Sequence, residues 1–298
     1  MTGPILITGA TGRLGKLVVQ RLLDNGERVR VLTRRPDDAL VLWGDRVEIV
    51  RGDFADLASL KEAALGTRAL FLLSPISEYL VTYQTAVIDA AKAAGVSRIV
   101  KISGSDWTIR NADRSVSGAA HRAVEEHLTV SGIEHAVLRP NAWMQVGLAP
   151  VIAAARKGED LPTRYGDAAV SFIDAQDIAD VAVHALVAQA PITGPLILTG
   201  TEALTALEIA RIIARVLQRP IGVSQKPSSA LPPHLDPFDQ RAIGEFVQLI
   251  GEGLAASVTD TITQITGQQP RTVETYVRNQ FAAPPIKTND PKGEKTWH

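Results

Sequence analysis

The chain of 298 residues contains no cysteine. That excludes a disulfide scaffold, a thiolate-ligated zinc or iron–sulfur centre, and a cysteine nucleophile. Charge of one sign is not in excess either. Lys and Arg number 31 against 32 Asp and Glu, a formal net charge of −1. Such a balance carries no overall basic footprint, so no nucleic-acid partner is expected. Long apolar runs are also missing. Stretches such as Ala69–Leu73 fall far short of a bilayer span, so no membrane association is expected. The opening MTGPILITGATG has no basic segment followed by an apolar one, which points to a cytoplasmic protein. No H-E-x-x-H or comparable ligand spacing and no G-x-S-x-G elbow occur, so neither a metal site nor a serine-hydrolase site is expected.

What the sequence does have is a globular balance, 45% hydrophobic and 21% charged residues, in a chain long enough to bury a core without staples. The first 140 residues alternate short apolar runs with helical patterns. Strands are predicted at Ile5–Thr8, Val29–Thr33, Val47–Val50, Ala69–Leu73, Arg98–Ser103 and Glu134–Arg139. Helices are predicted at Leu14–Asn25, Ser59–Leu65, Val81–Ala94 and Ala119–Val130. This rhythm predicts an α/β fold, a Rossmann-type doubly wound parallel sheet covered on both faces. After Pro140 the pattern loosens. Helices are predicted at Ala142–Lys157, from Asp174 to about Val187, and at Thr205–Leu217, Gln240–Ile250, Leu254–Ile265 and Arg271–Phe281. Strands are predicted at Ala168–Phe172, Pro195–Thr199 and Val223–Lys226. The expected organisation is a dinucleotide-binding core over residues 1–140 and a smaller, interleaved C-terminal α/β cap over 141–281 that binds substrate. The Pro- and charge-rich tail, 282–298, is expected to be disordered.

Gly9, Gly12 and Gly15 form a G-x-x-G-x-x-G spacing between the first strand and first helix. Gly9 permits a tight turn, Gly12 lets a pyrophosphate approach the backbone, and Gly15 lets helix and strand pack closely. The helix N-terminus then presents N–H groups to phosphate. At the end of the second strand a carboxylate would favour NAD(H) by binding the ribose 2′-OH. Here Arg34 and Arg35 stand there, and no acid occurs before Asp37. Guanidinium groups suit a 2′-phosphate, so NADP(H) is expected over NAD(H), with Arg13 able to contribute. The alternative is that both arginines are solvated turn residues. Asp53, with Phe54 beside it, is a candidate for the adenine or simply a turn residue, and Asp56 can equally cap the next helix.

Several segments occur in order: ITGATGRLG at Ile7–Gly15, LTRRPDD at Leu32–Asp38, GDFADLASL at Gly52–Leu60 and FLLSP at Phe71–Pro75. AAGVSRIVKISGS at Ala93–Ser105, SGIEHAVLRPNAWMQ at Ser131–Gln145 and FIDAQDIADVAV at Phe172–Val183 follow. Together they resemble the NmrA-like branch of the atypical short-chain dehydrogenases/reductases over residues 4 to 281. That family includes NAD(P)H-dependent quinone and azo-compound reductases, aryl ether reductases and non-catalytic cofactor sensors. The resemblance implies that Gly9, Thr11, Gly12, Arg13, Leu14 and Gly15 hold the pyrophosphate. It implies Arg34 and Arg35 for the 2′-phosphate, and Asp53 and Phe54 for the adenine. It also places Leu73, Ser74 and Pro75 under the nicotinamide ribose, Ser103 and Gly104 near the nicotinamide, and Pro140 and Asn141 near its carboxamide.

Ketone-reducing relatives of this broad class carry Tyr-x-x-x-Lys on one helix face, and no tyrosine here has a lysine four residues on. The corresponding helix instead carries His121, Arg122, Glu125, Glu126 and His127. Hydride addition to an isolated ketone makes an alkoxide whose conjugate acid is as weak as water itself. A quinone gives a phenolate whose acid lies at about 10, and needs a positioned acid less. The expected acceptor is therefore small and quinone-like or otherwise aromatic. His121 is the candidate proton donor, with helix packing as the alternative. Trp107, Trp143, Met144, Tyr165 and Phe172 are candidates for the acceptor pocket. The competing expectations are a redox sensor that binds NADP(H) without turnover, and a reductase of an aryl ether or enone.

Overall fold

Short runs of apolar and β-branched residues build a seven-stranded sheet in a computed structural model that describes residues 3–224 and 235–282. The strands are β1 (Ile5–Ile7), β2 (Val29–Thr33), β3 (Glu48–Arg51), β4 (Ala69–Leu72), β5 (Arg98–Ile102), β6 (Glu134–Pro140) and β7 (Gly194–Leu198). All pairs are parallel, in the order β3-β2-β1-β4-β5-β6-β7. The order reverses between β1 and β4, which places a ligand crevice beyond the carboxyl ends of these strands. The predicted doubly wound sheet is the one observed.

In the first part, helices α1 (Arg13–Asp24), α2 (Pro36–Trp43), α3 (Leu57–Ala64), α4 (Leu80–Ala93), α5 (Asp106–Arg110) and α6 (Val116–Ser131) connect the strands. After β6 come α7 (Met144–Gly147), α8 (Ala149–Lys157) and α9 (Ala175–Val187). Beyond β7 are α10 (Ala206–Leu217), α11 (Pro237–Gly251), α12 (Thr261–Thr266) and α13 (Val273–Ala282). One sheet face packs against α1 and α9, with Ile5, Ile7, Phe71, Val100 and Ile102 in that core. The opposite face packs against α3, α4 and α6 around Leu6, Leu70, Leu72 and Ile99. A third apolar cluster joins α8, α10, α11 and α13.

Local chemistry sets several ends. Asp174 accepts from Gln176 N and starts α9. Thr205 and Glu208 form a reciprocal capping box at α10, which satisfies two otherwise orphaned backbone donors.

The structure departs from the sequence reading at five places. The predicted helix Ala142–Lys157 is two helices, α7 and α8, because Pro150 lacks the N–H to continue the ladder. Ala168–Phe172 is not a strand: its N–H groups go to separate segments, Val170 to Leu204 and Ser171 to Ala255. Of the predicted helix Leu254–Ile265, only α12 is helical. Gly253, at φ +85°, ends the preceding turn, and the segment that follows hydrogen-bonds instead to Ser171 and Thr199. Val223 makes a single bridge with Leu161 and Ser224 N donates to Leu161 O at 2.9 Å; the remainder of that predicted strand, 225–226, like the expected disordered tail beyond 282, lies outside the described residues. Helices α2 and α5 were not predicted.

The C-terminal part is tied to the sheet by charge. Arg271, just ahead of α13, pairs with Asp177 and Asp180 of α9, and Asp180 also receives Arg21 of α1 at 2.5 Å. Burial raises the Asp177 carboxyl above its ordinary value, and Arg271 opposes that shift. Removing one partner of a buried pair strands the other charge. Arg271→Met is therefore expected to lower unfolding free energy by roughly 3 kcal/mol, the low end of the range because Arg271 is partly exposed. Urea denaturation followed by circular dichroism measures it; a loss under about 1 kcal/mol would place the pair among surface bridges.

Candidate active site

The glycine turn closes against the end of β4. Gly9 has φ +64°, and a Cβ there would lie 3.0 Å from Leu73. A Cβ at Gly15 would fall 2.1 Å from Gly9 O and 2.7 Å from Ala10 Cα. Only glycine permits this approach of α1 to β1. Thr8 locks the same corner: its hydroxyl donates to Leu73 O at 2.8 Å and accepts from Leu73 N at 2.9 Å. Gly12 is the N-cap of α1, with no side-chain cap and no acidic residue in the first turn. Such a helix end suits an anion. Arg13 spends one donor on Gln145 O, at 2.9 Å.

At the end of β2, Arg34 is exposed and its guanidinium lies 4.0 Å from Asp53 Oδ2; Arg35 pairs with Asp38 at 2.9 Å. Asp53 Oδ1 accepts from Ala55 N at 3.0 Å, so this carboxylate has the turn role weighed above, with one oxygen facing Arg34. Phe54 stacks on Tyr83 and Tyr83 on Tyr79, with centroids 5.9 and 5.5 Å apart. The two tyrosines were not anticipated.

Beyond β4, Gln84 of α4 donates to Ser74 Oγ at 2.8 Å. Gln84 is buried and its Oε1 has no hydrogen-bond partner. A buried, unmatched acceptor is costly in a folded chain. Here it stands beside a residue expected under the nicotinamide ribose. The uncapped helix, the glycine approach and this spare acceptor all fit a dinucleotide.

At the carboxyl end of β5 the polar groups are densest. Lys101 is fully buried and shares the sheet face of Ile99, toward α6. Its Nζ donates to Ser103 Oγ at 3.0 Å and Ile102 O at 3.1 Å, and lies 3.0 Å from His121 Nδ1. Ser103 Oγ donates to Glu125 Oε1 at 2.6 Å. Glu125 is paired with Arg139 of β6, which also holds Asp106 at 2.8 Å. Burial lowers the Lys101 pKa to about 7, with Glu125 opposing and Arg139 reinforcing the shift. Burial and the Lys101 charge hold His121 well below its ordinary range. An imidazolium donor at His121 is therefore disfavoured. Sequence reading missed Lys101, although a lysine inside an otherwise apolar central strand was a visible anomaly.

The other expected positions divide. Pro140 O accepts from Ser105 Oγ at 2.7 Å. Asn141 has its amide committed within the protein: Nδ2 donates to Ser171 Oγ at 2.6 Å and Ala255 O at 2.8 Å, and Oδ1 accepts from Trp107 Nε1 at 2.8 Å. It acts as a clamp, with no amide donor left for a carboxamide. Trp107, so pinned, packs on Phe246 at 4.7 Å. Tyr165 and Phe172 line one cavity together with Gly147, Val151, Leu161 and Leu204. Met144 is buried in the same apolar cluster. Trp143 is not: it packs against the core under α1 and α9. Gly104 lies against His121, where a Cβ would meet the ring at 3.0 Å. Burial pushes the Tyr276 phenol up to about 12 and raises that of Tyr165. Among the described residues no group of three or more His, Asp or Glu could hold a metal ion, and no helix is long and apolar enough to cross a membrane.

Comparison with known proteins bears directly on this cleft. Residues 1–277 match the NmrA-like family. A (4-alkanoyl-5-oxo-2,5-dihydrofuran-3-yl)methyl phosphate reductase of Streptomyces griseus is 34% identical, over 90% of this chain and 94% of that protein. An NAD(P)H azoreductase of Xenophilus azovorans is 30% identical over 94% and 98%. In fold, the chain resembles the NADPH complex of an NADPH-dependent quinone oxidoreductase of Escherichia coli, with TM-score 0.82 and 24% identity over 93% and 99% of the two chains.

The buried lysine has a measurable effect on stability. With its folded pKa near 7 and an unfolded value of about 10.4, the unfolded chain binds the extra proton between those limits. Stability from this group therefore rises with pH across that window. Lys101→Met is expected to unfold at higher urea than the parent at pH 7, with the gap closing toward pH 10. A gap independent of pH would mean that Lys101 titrates normally.

Proposed function

We propose that this chain, which belongs to the NmrA-like family and is an NAD(P)H-dependent oxidoreductase, prefers NADPH and reduces a quinone or related conjugated aromatic acceptor. NADPH supplies the hydride when bound. The chain's own residues bind, orient and shield. The turn at Gly9, Gly12 and Gly15 with the N-terminus of α1 receives the pyrophosphate, and Arg34 and Arg35 receive the 2′-phosphate. Ser74, Ser103 and Gly104 lie along the carboxyl edge where the nicotinamide half would rest. The acceptor's reacting end is proposed to lie at the carboxyl edge beside Ser103, with its body toward the cavity lined by Tyr165 and Phe172, and holding both reactants together supplies much of the rate.

The observation that carries this reading is a polar cradle without a phenol acid. The sequence has four tyrosines, none spaced for the Tyr–Lys arrangement, and the Tyr165 and Tyr276 phenols are both shifted upward by burial. Such a site suits acceptors whose reduced form is a stabilised anion. The substrates in the relatives' names, an azo compound and an alkanoyl oxodihydrofuran phosphate, are conjugated and not isolated ketones. The second of these favours an alternative within the same chemistry, reduction of an enone carbon–carbon bond. Product analysis by mass spectrometry and NMR separates a quinol from a saturated carbonyl.

Loss of nicotinamide absorbance with a panel of quinones and enones tests turnover. Tight NADPH binding without oxidation across the panel would instead make the protein a cofactor sensor. Arg34→Ala with Arg35→Ala is expected to weaken NADPH by about 10- to 100-fold, the worth of one or two charge-assisted hydrogen bonds. NADH should change by less than about threefold. Calorimetric titration of both cofactors gives the answer, and an equal loss for the two would reject the 2′-phosphate assignment.

A further inference from the structure

Lys101 is the anomaly of the sheet. A charge in a strand covered on both faces needs a reason to be there, because apolar residues of similar volume fold as well or better. Its surroundings are organised around one hydroxyl. Nζ lies 3.0 Å from Ser103 Oγ, and Ser103 Oγ is 2.6 Å from Glu125 Oε1. Ser103 is the first residue past β5, at the edge where ligands bind in such sheets. The groups facing Lys101 are His121 and Glu125 from α6, Arg139 from β6 and, through Arg139, Asp106 of α5. Glu125 is neutralised by Arg139, so it orients the hydroxyl without giving up a proton. His121 presents Nδ1 to the lysine as an acceptor.

We propose that Lys101, acting through Ser103, is the proton supply of the reduction. It would serve from a strand the need that a helical Tyr–Lys pair serves elsewhere. This rests on the reductase reading above. Hydride from NADPH adds to the acceptor, the acceptor oxygen gains the electron pair, and NADP+ remains. The Ser103 hydroxyl turns from Glu125 to that oxygen; its O–H bond breaks as the acceptor O–H forms. A Lys101 Nζ–H bond breaks as its proton passes to Ser103 Oγ. Lys101 is left as a neutral amine and is reprotonated from solvent after product leaves. The burial that brings its pKa to about 7 lets it lose and regain this proton near neutrality. Lys101 is thus a positioning residue, and Ser103 is the group that would touch the acceptor.

The test uses the full chain with a quinone or enone that the wild type reduces. A donor must be protonated, so wild-type kcat is expected to fall as pH rises above about 7. In Lys101→Met that limb should vanish, with kcat below pH 7 reduced by roughly 100-fold and KM for NADPH unchanged within about threefold. Lys101→Gln keeps a hydrogen bond to Ser103 but cannot titrate, and should match the methionine variant. Recovery of the wild-type profile in Lys101→Gln would reduce the lysine to a hydroxyl holder and overturn the proposal. NMR of the cofactor-free protein with 13C-labelled lysine side chains gives a readout independent of turnover. One resonance, missing in Lys101→Met, should titrate near pH 7, and its titration near pH 10 would overturn the proposal. A wild type that oxidises NADPH with none of the quinones or enones offered defeats the reductase reading itself. A wild type that turns over while Lys101→Met keeps the same pH limb defeats only this inference.

Discussion

The closeness of α1 to β1 is the constraint on which the rest of the cleft is built. With Gly15 held where a Cβ would meet Gly9 O at 2.1 Å, the helix starts directly over the strand end. Its N-terminal N–H groups then converge at the carboxyl edge of the sheet. The Thr8–Leu73 hydrogen bonds carry the same registration across to β4, and strand pairing carries it on to β5 and Ser103. Any larger residue at Gly15 would push the helix away from the strand, and one at Gly9 would collide with Leu73. The N-terminus of α1 would move with it, while the end of β5 stayed in place.

That second half obeys a different physics. Around Ser103 the chain buries Lys101, Glu125 and Arg139; Glu125 and Arg139 pair with each other, while Lys101 has only the Ser103 hydroxyl, Ile102 O and His121 beside it. Nearby, Asn141 spends its whole amide joining Trp107, Ser171 and Ala255. One end of the crevice is thus shaped by absent side chains and the other by saturated polar ones.

The sequence made legible whatever depends on neighbours along the chain. Strand and helix periods, the glycine spacing, the Asp174 cap and the Thr205 start of α10 are all local, and the structure places them within a few residues of expectation. Helix α2 escaped notice because Leu40, Val41 and Leu42 all face solvent, so it shows no apolar stripe of helical period. The stretches 168–172 and 254–260 were misread because their hydrogen bonds go to one another and to Thr199 and Leu204, partners that no local pattern can announce. The local geometry around the candidate site residues divides in the same way. The close turn at Gly9 to Gly15 was readable from spacing, whereas the downward pKa shifts of Lys101 and His121 come from burial, which only the packed fold decides.

Asp180 is shared between Arg21 of α1 and Arg271 ahead of the C-terminal helix. The helix that follows the glycine turn is therefore fastened at its far end to the segment leading into the last helix of the described chain. Ionic fastenings of partly exposed groups soften as electrolyte is added. Salt should accordingly act on this protein at a distance, loosening the C-terminal helix and the foot of α1 together.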